Sequence, residues 1–438
     1  MSRAVASWLF GSVFFLAGCA ASPVSSQDEA ASSGLNPAAD ALTVSDEGPV
    51  PLPKPAQGAA PEDPSFEGFV ARFRSYAIAQ GIRPEVYDRA MSQASFDRST
   101  MEAANRQPEF TKSVWDYLAS AVSDTRVATG QKLIAQNQVL LQNLQSAYGV
   151  DYHILVAIWG LESAYGGFMG NHNLFSSLGT LASEGRRQSF GREQLIAALK
   201  IVQSGDKDPA AMESSWAGAM GQTQFIPTTY NGYAVDFDGD GRRDIWASRA
   251  DALGSAANYL AESGWRSGEP WGFEVTLPAG FDYSLTGMGV RRPVSMWTAL
   301  GIRRTDGAAL SPALAANEAS VFLPAGHAGP AFLVLNNFRT ILRYNNSTSY
   351  ALAISLLSER FEGRGQVLAP WPTNDRPLSR SERTELQRLL TAAGFDTQGV
   401  DGILGANTKA AVRAYQRSIG AVADGYPSYA LLQQLRGS

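Results

Sequence analysis

The chain has 438 residues, 45% of them hydrophobic, enough for a large core and more than one domain. Lys and Arg number 36 against 41 Asp and Glu, so the net charge of -5 offers no basic balance for binding nucleic acid. The three histidines (His153, His172, His327) are too scattered to suggest a zinc site, and the single cysteine, Cys19, excludes an intramolecular disulfide.

The N-terminus carries Arg3 ahead of an apolar run that ends Leu16-Ala17-Gly18-Cys19, the pattern of a secretory signal peptide. The run is short and is interrupted by Ser7, Gly11 and Ser12, which argues against a membrane-spanning anchor. Its ending resembles a bacterial lipobox. That resemblance implies a signal peptide over residues 1–19, lipidation of Cys19 and, because Ala20 rather than Asp follows, attachment to the periplasmic face of the outer membrane. The alternative is an ordinary cleavable signal with an incidental cysteine. Residues 20–63 are rich in Ala, Ser, Pro, Asp and Glu and lack apolar periodicity, so they read as a disordered tether. As coil this tether spans roughly 35 Å, and fully extended it reaches on the order of 150 Å.

Helical patterns dominate from Phe66 onward. Val114 to Leu118 opens one helix, and Leu133 to Tyr148 carries apolar residues at helical spacing. The uncharged stretch Ile154-Leu155-Val156-Ala157-Ile158-Trp159-Gly160-Leu161 predicts a buried helix that runs straight into Glu162. The following Ser163-Ala164-Tyr165-Gly166-Gly167 predicts the helix end, with Gly166 or Gly167 as the left-handed cap. A carboxylate placed there is desolvated and faces the negative end of the helix dipole. Both effects favour the protonated form a general acid needs. The competing reading has Glu162 pointing to solvent from the last turn.

Leu195 to Val202 and Ala250 to Leu260 read as further helices. Residues 271–340 change character. Phe273 to Leu277, Ala319 to Leu323 and Ala331 to Leu335 alternate or run apolar between Gly and Pro signals, which predicts a β-rich insertion. Helix is expected to resume after Ser347. A Pro- and Gly-bearing linker covers 363–377. Residues 378–438 predict three helices, marked by Leu386, Leu389, Leu390 and Ala393, then Ala411, Val412, Tyr415 and Ile419, then Leu431, Leu432 and Leu435. Between the first two lies Asp401-Gly402-Ile403-Leu404-Gly405-Ala406-Asn407-Thr408, which looks like the signature of a three-helix peptidoglycan-binding domain; a plain helical hairpin is the alternative. Gly405 suits the start of the second helix.

Several motifs in one order and spacing carry a wider resemblance. They are the Glu162 helix, Ser214-Ser215-Trp216-Ala217-Gly218-Ala219-Met220-Gly221-Gln222-Thr223-Gln224-Phe225-Ile226-Pro227, Tyr230, the Asp-rich stretch Ala234 to Gly241, and Ala256-Ala257-Asn258-Tyr259. Over residues 64–362 the chain resembles the lytic murein transglycosylase B family, relatives of goose-type lysozyme that cleave peptidoglycan. The resemblance implies a mainly α, lysozyme-like catalytic core with a small β-rich insertion. It also implies cleavage of the β-1,4 bond between N-acetylmuramic acid and N-acetylglucosamine, giving 1,6-anhydromuramoyl ends. In the family the muramic acid C6 hydroxyl attacks its own anomeric carbon. One acid, Glu162, therefore suffices, and the nearby Glu184 and Glu213 read as surface residues. An internal hydroxyl has a high effective molarity, so no water need be positioned. Substrate contacts carry over to Tyr117, Ser215, Gln224, Tyr259, Tyr344 and Tyr350. The tyrosines offer flat faces to sugar rings, and Ser215 and Gln224 offer hydrogen bonds.

Asp236-Phe237-Asp238-Gly239-Asp240-Gly241 matches positions one, three, five and six of an EF-hand loop. The Arg242 carbonyl falls at seven and Asp244 at nine, but Ala247 stands at twelve, where a bidentate Glu belongs. By resemblance Asp251 fills that role from a longer loop; the alternative is a set of metal-free Asx-turns. The expected enzyme needs no cofactor for its chemistry and has a possible structural calcium at these residues. Its partners are peptidoglycan glycan strands, with the membrane reached only through a lipid anchor. A hydrolytic muramidase using the same acid and a non-catalytic wall-binding scaffold are the rival readings.

Overall fold

The computed structural model describes residues 64–105 and 112–437. The signal peptide, Cys19 and the expected tether lie outside the described residues.

In chain order the helices begin with α1 (Phe66–Ala79), α2 (Pro84–Met91), α3 (Arg98–Asn105), α4 (Val114–Ala121), α5 (Asp124–Gln136), α6 (Gln138–Tyr148) and α7 (Tyr152–Ser163). The single helix expected to reach from Leu133 to Tyr148 is therefore broken. Asn137 leaves helical geometry (φ -119°, ψ 21°) and its side-chain amide bonds back to the Leu133 carbonyl at 2.7 Å. That local bond competes with the helix ladder. A short antiparallel pair, β1 (His172–Asn173) with β2 (Glu213–Ser214), brackets α8 (Leu174–Ser183) and α9 (Gln188–Ser204). Then come α10 (Pro227–Tyr233) and α11 (Arg249–Glu262).

The expected insertion is an antiparallel sheet. Its strands are β3 (Gly272–Thr276), β4 (Arg292–Pro293), β5 (Arg303–Arg304), β6 (Glu318–Phe322) and β7 (Ala331–Val334), in the order β4-β6-β7-β3-β5, with α12 (Val294–Ala299) between β4 and β5. Helix resumes sooner than expected, at α13 (Asn336–Tyr344), ahead of α14 (Thr348–Phe361). The buried Asn337 holds the start of α13 by donating to the Arg266 and Glu269 carbonyls. The tail forms α15 (Arg380–Ala392), α16 (Ala406–Ser418) and α17 (Tyr429–Arg436) around Leu386, Leu390, Val412 and Leu432. Ser379 and Glu382 close a capping box on α15, and Gly405 is the N-cap of α16.

Two largely helical cores meet within residues 66–361. One gathers Leu141, Leu155, Ile158, Trp159, Phe338 and Ile354; the other gathers Phe73, Phe175, Leu195, Leu199, Met220 and Phe225. The helix α7 is apolar on every side and correspondingly buried, packed on α5, α6, α11 and α14. Tyr259 and Tyr344 pack against both cores and so mark the seam between them.

The Pro/Gly segment 363–377 is held at several points. Glu274 accepts from the Leu368 and Ala369 amides, Trp371 packs on Trp115 at 6.2 Å, and Asp375 accepts from the Tyr429 and Ala430 amides. The tail also meets the insertion, where the His327 ring and amide both bond the Asp424 carboxylate at 2.6 and 2.8 Å.

Candidate active site

Glu162 sits in the last turn of α7, where the buried run ends. The chain turns sharply there. Ala164, Tyr165 and Gly166 all adopt left-handed backbone, with φ of 48°, 62° and 81°. The sequence places that cap at a glycine; instead it begins two residues earlier, on Ala and Tyr, which cost about 1–2 kcal/mol each in this region. Tertiary contacts hold it. The Tyr165 amide bonds the Trp159 carbonyl, its hydroxyl donates to the Arg126 carbonyl at 2.6 Å, and its ring meets Trp159 edge-on. Gly160 and Gly130 make the space for that ring: a Cβ on Gly160 would lie 2.7 Å from the Tyr165 ring, and one on Gly130 would lie 2.7 Å from its hydroxyl. Ser163 completes the turn by donating to the Gln222 carbonyl at 2.6 Å and accepting from the Gly166 amide.

The Ser163 bond ties the helix end to the 214–227 loop. That loop folds on itself through paired Met220 and Phe225 amides, and Gly170 passes so close to Ser214 that a Cβ would sit 2.1 Å from its carbonyl oxygen. Ser215 Oγ accepts from the Ala219 amide at 3.1 Å, which leaves its proton free to donate. Gln224, at a φ of 53°, spends its amide nitrogen on the Met169 and Gly221 carbonyls, leaving its carbonyl oxygen as the acceptor. Gly218 and Gly221, also at positive φ, pack against Leu178 and Ile245.

The tyrosines converge from distant helices. Tyr350, on α14, donates to Glu162 Oε1 at 2.6 Å. Tyr344 donates to the Thr223 carbonyl at 2.6 Å and meets Tyr259 edge-on at 5.2 Å, and Tyr259 donates to the Arg343 carbonyl. Burial raises the hydroxyl pKa of Tyr344 and Tyr350 well above the usual value, and that of Tyr117 up to about 12; the charge of Glu162 adds to the rise in all three. Tyr350 touches the Glu162 carboxyl directly, and the charge of that group reaches Tyr117 and Tyr344.

Glu162 itself is pushed from 4.5 up to about 7 by burial, while the Tyr350 hydrogen bond pulls the other way by favouring the carboxylate. The residue as a whole is half-buried, and its carboxyl lies on the buried side. No second carboxylate among the described residues perturbs it, and Glu184 and Glu213 are both exposed. The arrangement is one carboxyl group with a raised pKa, held by a tyrosine hydroxyl at the end of a buried helix. Sequence reasoning missed the supports: Arg126, Tyr165, Ser163 and the Thr223 carbonyl. The glycines at 130 and 160 were their only local trace.

The Asp-rich loop forms a second cluster. Carboxylate oxygens of Asp236, Asp238, Asp240 and Asp251 lie within 4.8 Å of one another, three exposed and Asp251 buried. Four hard oxygen donors at that spacing fit a calcium ion. Asp251, at the start of α11, accepts from the Phe237, Asp238 and Asp244 amides and so reaches the loop from beyond position twelve. Asp244 does not join. Lys207 and the Trp246 and Ala247 amides engage it instead. Arg242 is exposed at the expected seventh position.

The transglycosylase SLT domain family matches residues 65–359, and a peptidoglycan binding domain matches residues 379–435. Membrane-bound lytic murein transglycosylase B of Escherichia coli K12 is 31% identical over 269 residues, covering 60% of this chain and 72% of that protein. Pseudomonas aeruginosa SltB3, solved with NAG-anhNAM-pentapeptide and with NAG-NAM-pentapeptide, is 55% identical at a TM-score of 0.83, covering 85% of this chain and at least 99% of that one. The Escherichia coli lytic transglycosylase Slt35, solved in complex with calcium, is 29% identical at a TM-score of 0.59, covering 68% of this chain and 93% of that one. Matched over residues 65–359 and 379–435, the chain belongs to the transglycosylase SLT domain family and is a peptidoglycan lytic transglycosylase with a C-terminal peptidoglycan-binding domain.

Proposed function

We propose that Glu162 is the sole acid–base catalyst, acting on the bond between N-acetylmuramic acid and N-acetylglucosamine. The observation that carries this reading is Glu162 at the end of the buried helix α7, bonded by the Tyr350 hydroxyl, its carboxyl pushed up to about 7 by burial and perturbed by no other carboxylate among the described residues. A hydrolase with two carboxylates separates acid from nucleophile or base. Here one group plays both parts in turn. Protonated Glu162 gives its proton to the glycosidic oxygen as the bond to the muramic anomeric carbon breaks. The carboxylate left behind, steadied by the Tyr350 hydroxyl, takes the proton of the muramic C6 hydroxyl as that oxygen closes on the anomeric carbon. The products are a free 4-hydroxyl on N-acetylglucosamine and a 1,6-anhydromuramoyl end, and Glu162 is protonated again. A pKa near 7 suits both halves of the cycle.

Ser215 and Gln224 bind sugar hydroxyls or N-acetyl groups, with the available hydroxyl proton of one and the carbonyl oxygen of the other. Tyr117, Tyr259, Tyr344 and Tyr350 form the walls against which the rings lie. Asp236, Asp238, Asp240 and Asp251, with the Arg242 carbonyl, hold a structural calcium that braces the loop against α11 and takes no part in the chemistry. Residues 64–362 form the catalytic domain, 363–377 the connecting strap and 378–438 the wall-binding domain. Cys19 carries the lipid anchor at the periplasmic face of the outer membrane. Among the described residues no helix is long and apolar enough to cross a membrane. A Cys19→Ser variant is expected to leave the membrane fraction.

The test is Glu162→Gln on purified sacculi. The amide can neither give nor recover the proton, so muropeptide release is expected to fall by at least about 10²–10⁴-fold while sacculus binding persists. Release at the wild-type rate would remove Glu162 from the mechanism.

A further inference from the structure

We propose that Arg126 is a positioning residue for glycan cleavage, locking the helix that carries Glu162 to the helix that carries Tyr117. This rests on the reading of Glu162 as the catalytic acid. Arg126 lies in the first turn of α5, and among the described residues it forms no ion pair with a carboxylate. Its guanidinium is spent on backbone. Nη1 donates to the Ser120 and Ala121 carbonyls at 2.5 and 2.8 Å, in the last turn of α4 three residues beyond Tyr117, and Nε donates to the Gly160 carbonyl at 3.3 Å. Its own carbonyl accepts the Tyr165 hydroxyl at 2.6 Å.

The Gly160 carbonyl needs this donor. In a regular helix it would accept from the amide four residues on, Ala164. The left-handed turn directs that amide, together with the Tyr165 amide, to the Trp159 carbonyl. Arg126 supplies the missing bond two residues before Glu162. The same cation faces the C-terminal ends of both α4 and α7, where a positive charge offsets the helix dipoles. The titratable groups facing it are Tyr165 and Tyr117. One side chain thus secures the helix end, the strained turn and the relation between Glu162 and Tyr117. An arginine suits this task because its planar fork spans two acceptor sets at once, which a lysine ammonium does not.

The experiment is steady-state cleavage of purified sacculi across pH 5–9 by the full-length enzyme, Arg126→Met, Arg126→Lys and Tyr165→Phe, with Glu162→Gln as the reference for the acid. A misplaced acid costs rate rather than binding. Arg126→Met is therefore expected to lose about ten- to a hundredfold in kcat with KM within about threefold of wild type. The alkaline limb of its kcat profile should stay where Glu162 sets it, because the titratable groups facing Arg126 are the two tyrosines and not the Glu162 carboxyl. Arg126→Lys should recover only part of kcat. Tyr165→Phe, which keeps the ring and loses only the hydroxyl, should lower kcat in the same direction by less. If Arg126→Met does not fold, Tyr165→Phe decides: kcat equal to wild type overturns the proposal. It is equally overturned if kcat falls only in proportion to the folded fraction, or if the loss appears in KM instead of kcat. An active Glu162→Gln would instead defeat the reading of the acid, whatever the Arg126 variants do.

Discussion

The Tyr350 hydroxyl meets Oε1 of Glu162 at 2.6 Å, joining α14 to the end of α7 across 188 residues of chain. The bond stabilises the carboxylate and opposes the burial that raises the Glu162 pKa to about 7. The two effects set the acid between too weak to give its proton and too strong to hold and recover it.

Tyr350→Phe removes the donor and keeps the ring. Without the bond the Glu162 pKa is expected to rise by about one unit, since a hydrogen bond to a charged group contributes about 1.5–3 kcal/mol and water recovers part of it. The proposed mechanism starts from the protonated form, so wild-type cleavage should fall as pH rises through about 7. In Tyr350→Phe the fall should come at higher pH, with a lower maximal rate. A pH–rate series on sacculi checks this, and a limb that stays put or moves down would contradict it.

Burial of Glu162 carries a stability cost with a definite pH window. Its folded pKa of about 7 exceeds the ordinary 4.5, so the folded state binds the proton more tightly than the unfolded chain. Stability from this group therefore falls as pH rises from 4.5 to about 7, and the full loss, at most about 3 kcal/mol, applies above that. Glu162→Gln carries no charge and escapes it. The variant should melt close to wild type at pH 4.5 and above it at pH 8. Equal melting temperatures at pH 8 would count against a desolvated carboxyl.

Much of this site was legible before any coordinates. The charge-free run from Ile154 to Leu161 placed Glu162 at the end of a buried helix, because an all-apolar surface has nowhere else to go. The turn after it was misplaced. Gly166 and Gly167 are the residues that propensity favours for a left-handed cap, whereas Ala164 and Tyr165 adopt that geometry because Arg126, Trp159 and Ser163 hold them there. Such contacts are made across the fold and leave no local signal beyond Gly130 and Gly160. For the same reason Tyr117, Tyr259, Tyr344 and Tyr350, spread over more than half the chain, were gathered only by family resemblance. The segment 363–377 reads as a linker from its Pro and Gly content, and its contacts with Glu274, Trp115 and the tail come from across the fold.

Gly160→Ala tests the packing beneath the acid. The new Cβ would lie 2.7 Å from the Tyr165 ring, so either the ring or the end of α7 must shift. Overpacking of this kind costs about 1–3 kcal/mol. The variant should melt below wild type and lose turnover beyond the loss of folded protein, measured by calorimetry and by cleavage per folded molecule. Wild-type turnover in a folded Gly160→Ala would show that the Tyr165 packing does not position Glu162.

Calcium should stabilise the folded state by mass action, about 2.7 kcal/mol at a hundredfold excess over Kd. The melting temperature is expected to rise with added calcium and fall with chelator. Asp236→Ala combined with Asp240→Ala should erase the response. Without metal the double variant should melt above wild type, because four carboxylates within 4.8 Å repel one another. A melting curve indifferent to calcium up to several millimolar would favour the metal-free turns.

The mechanism turns on where the attacking oxygen comes from. Sacculi digested in 18O-labelled water, with the released muropeptides weighed by mass spectrometry, answer this in one measurement. The account predicts 1,6-anhydromuramoyl ends, each lighter by one water than a reducing end and free of label. Reducing muramoyl ends that carry one 18O atom would mean that water attacks, and would contradict it.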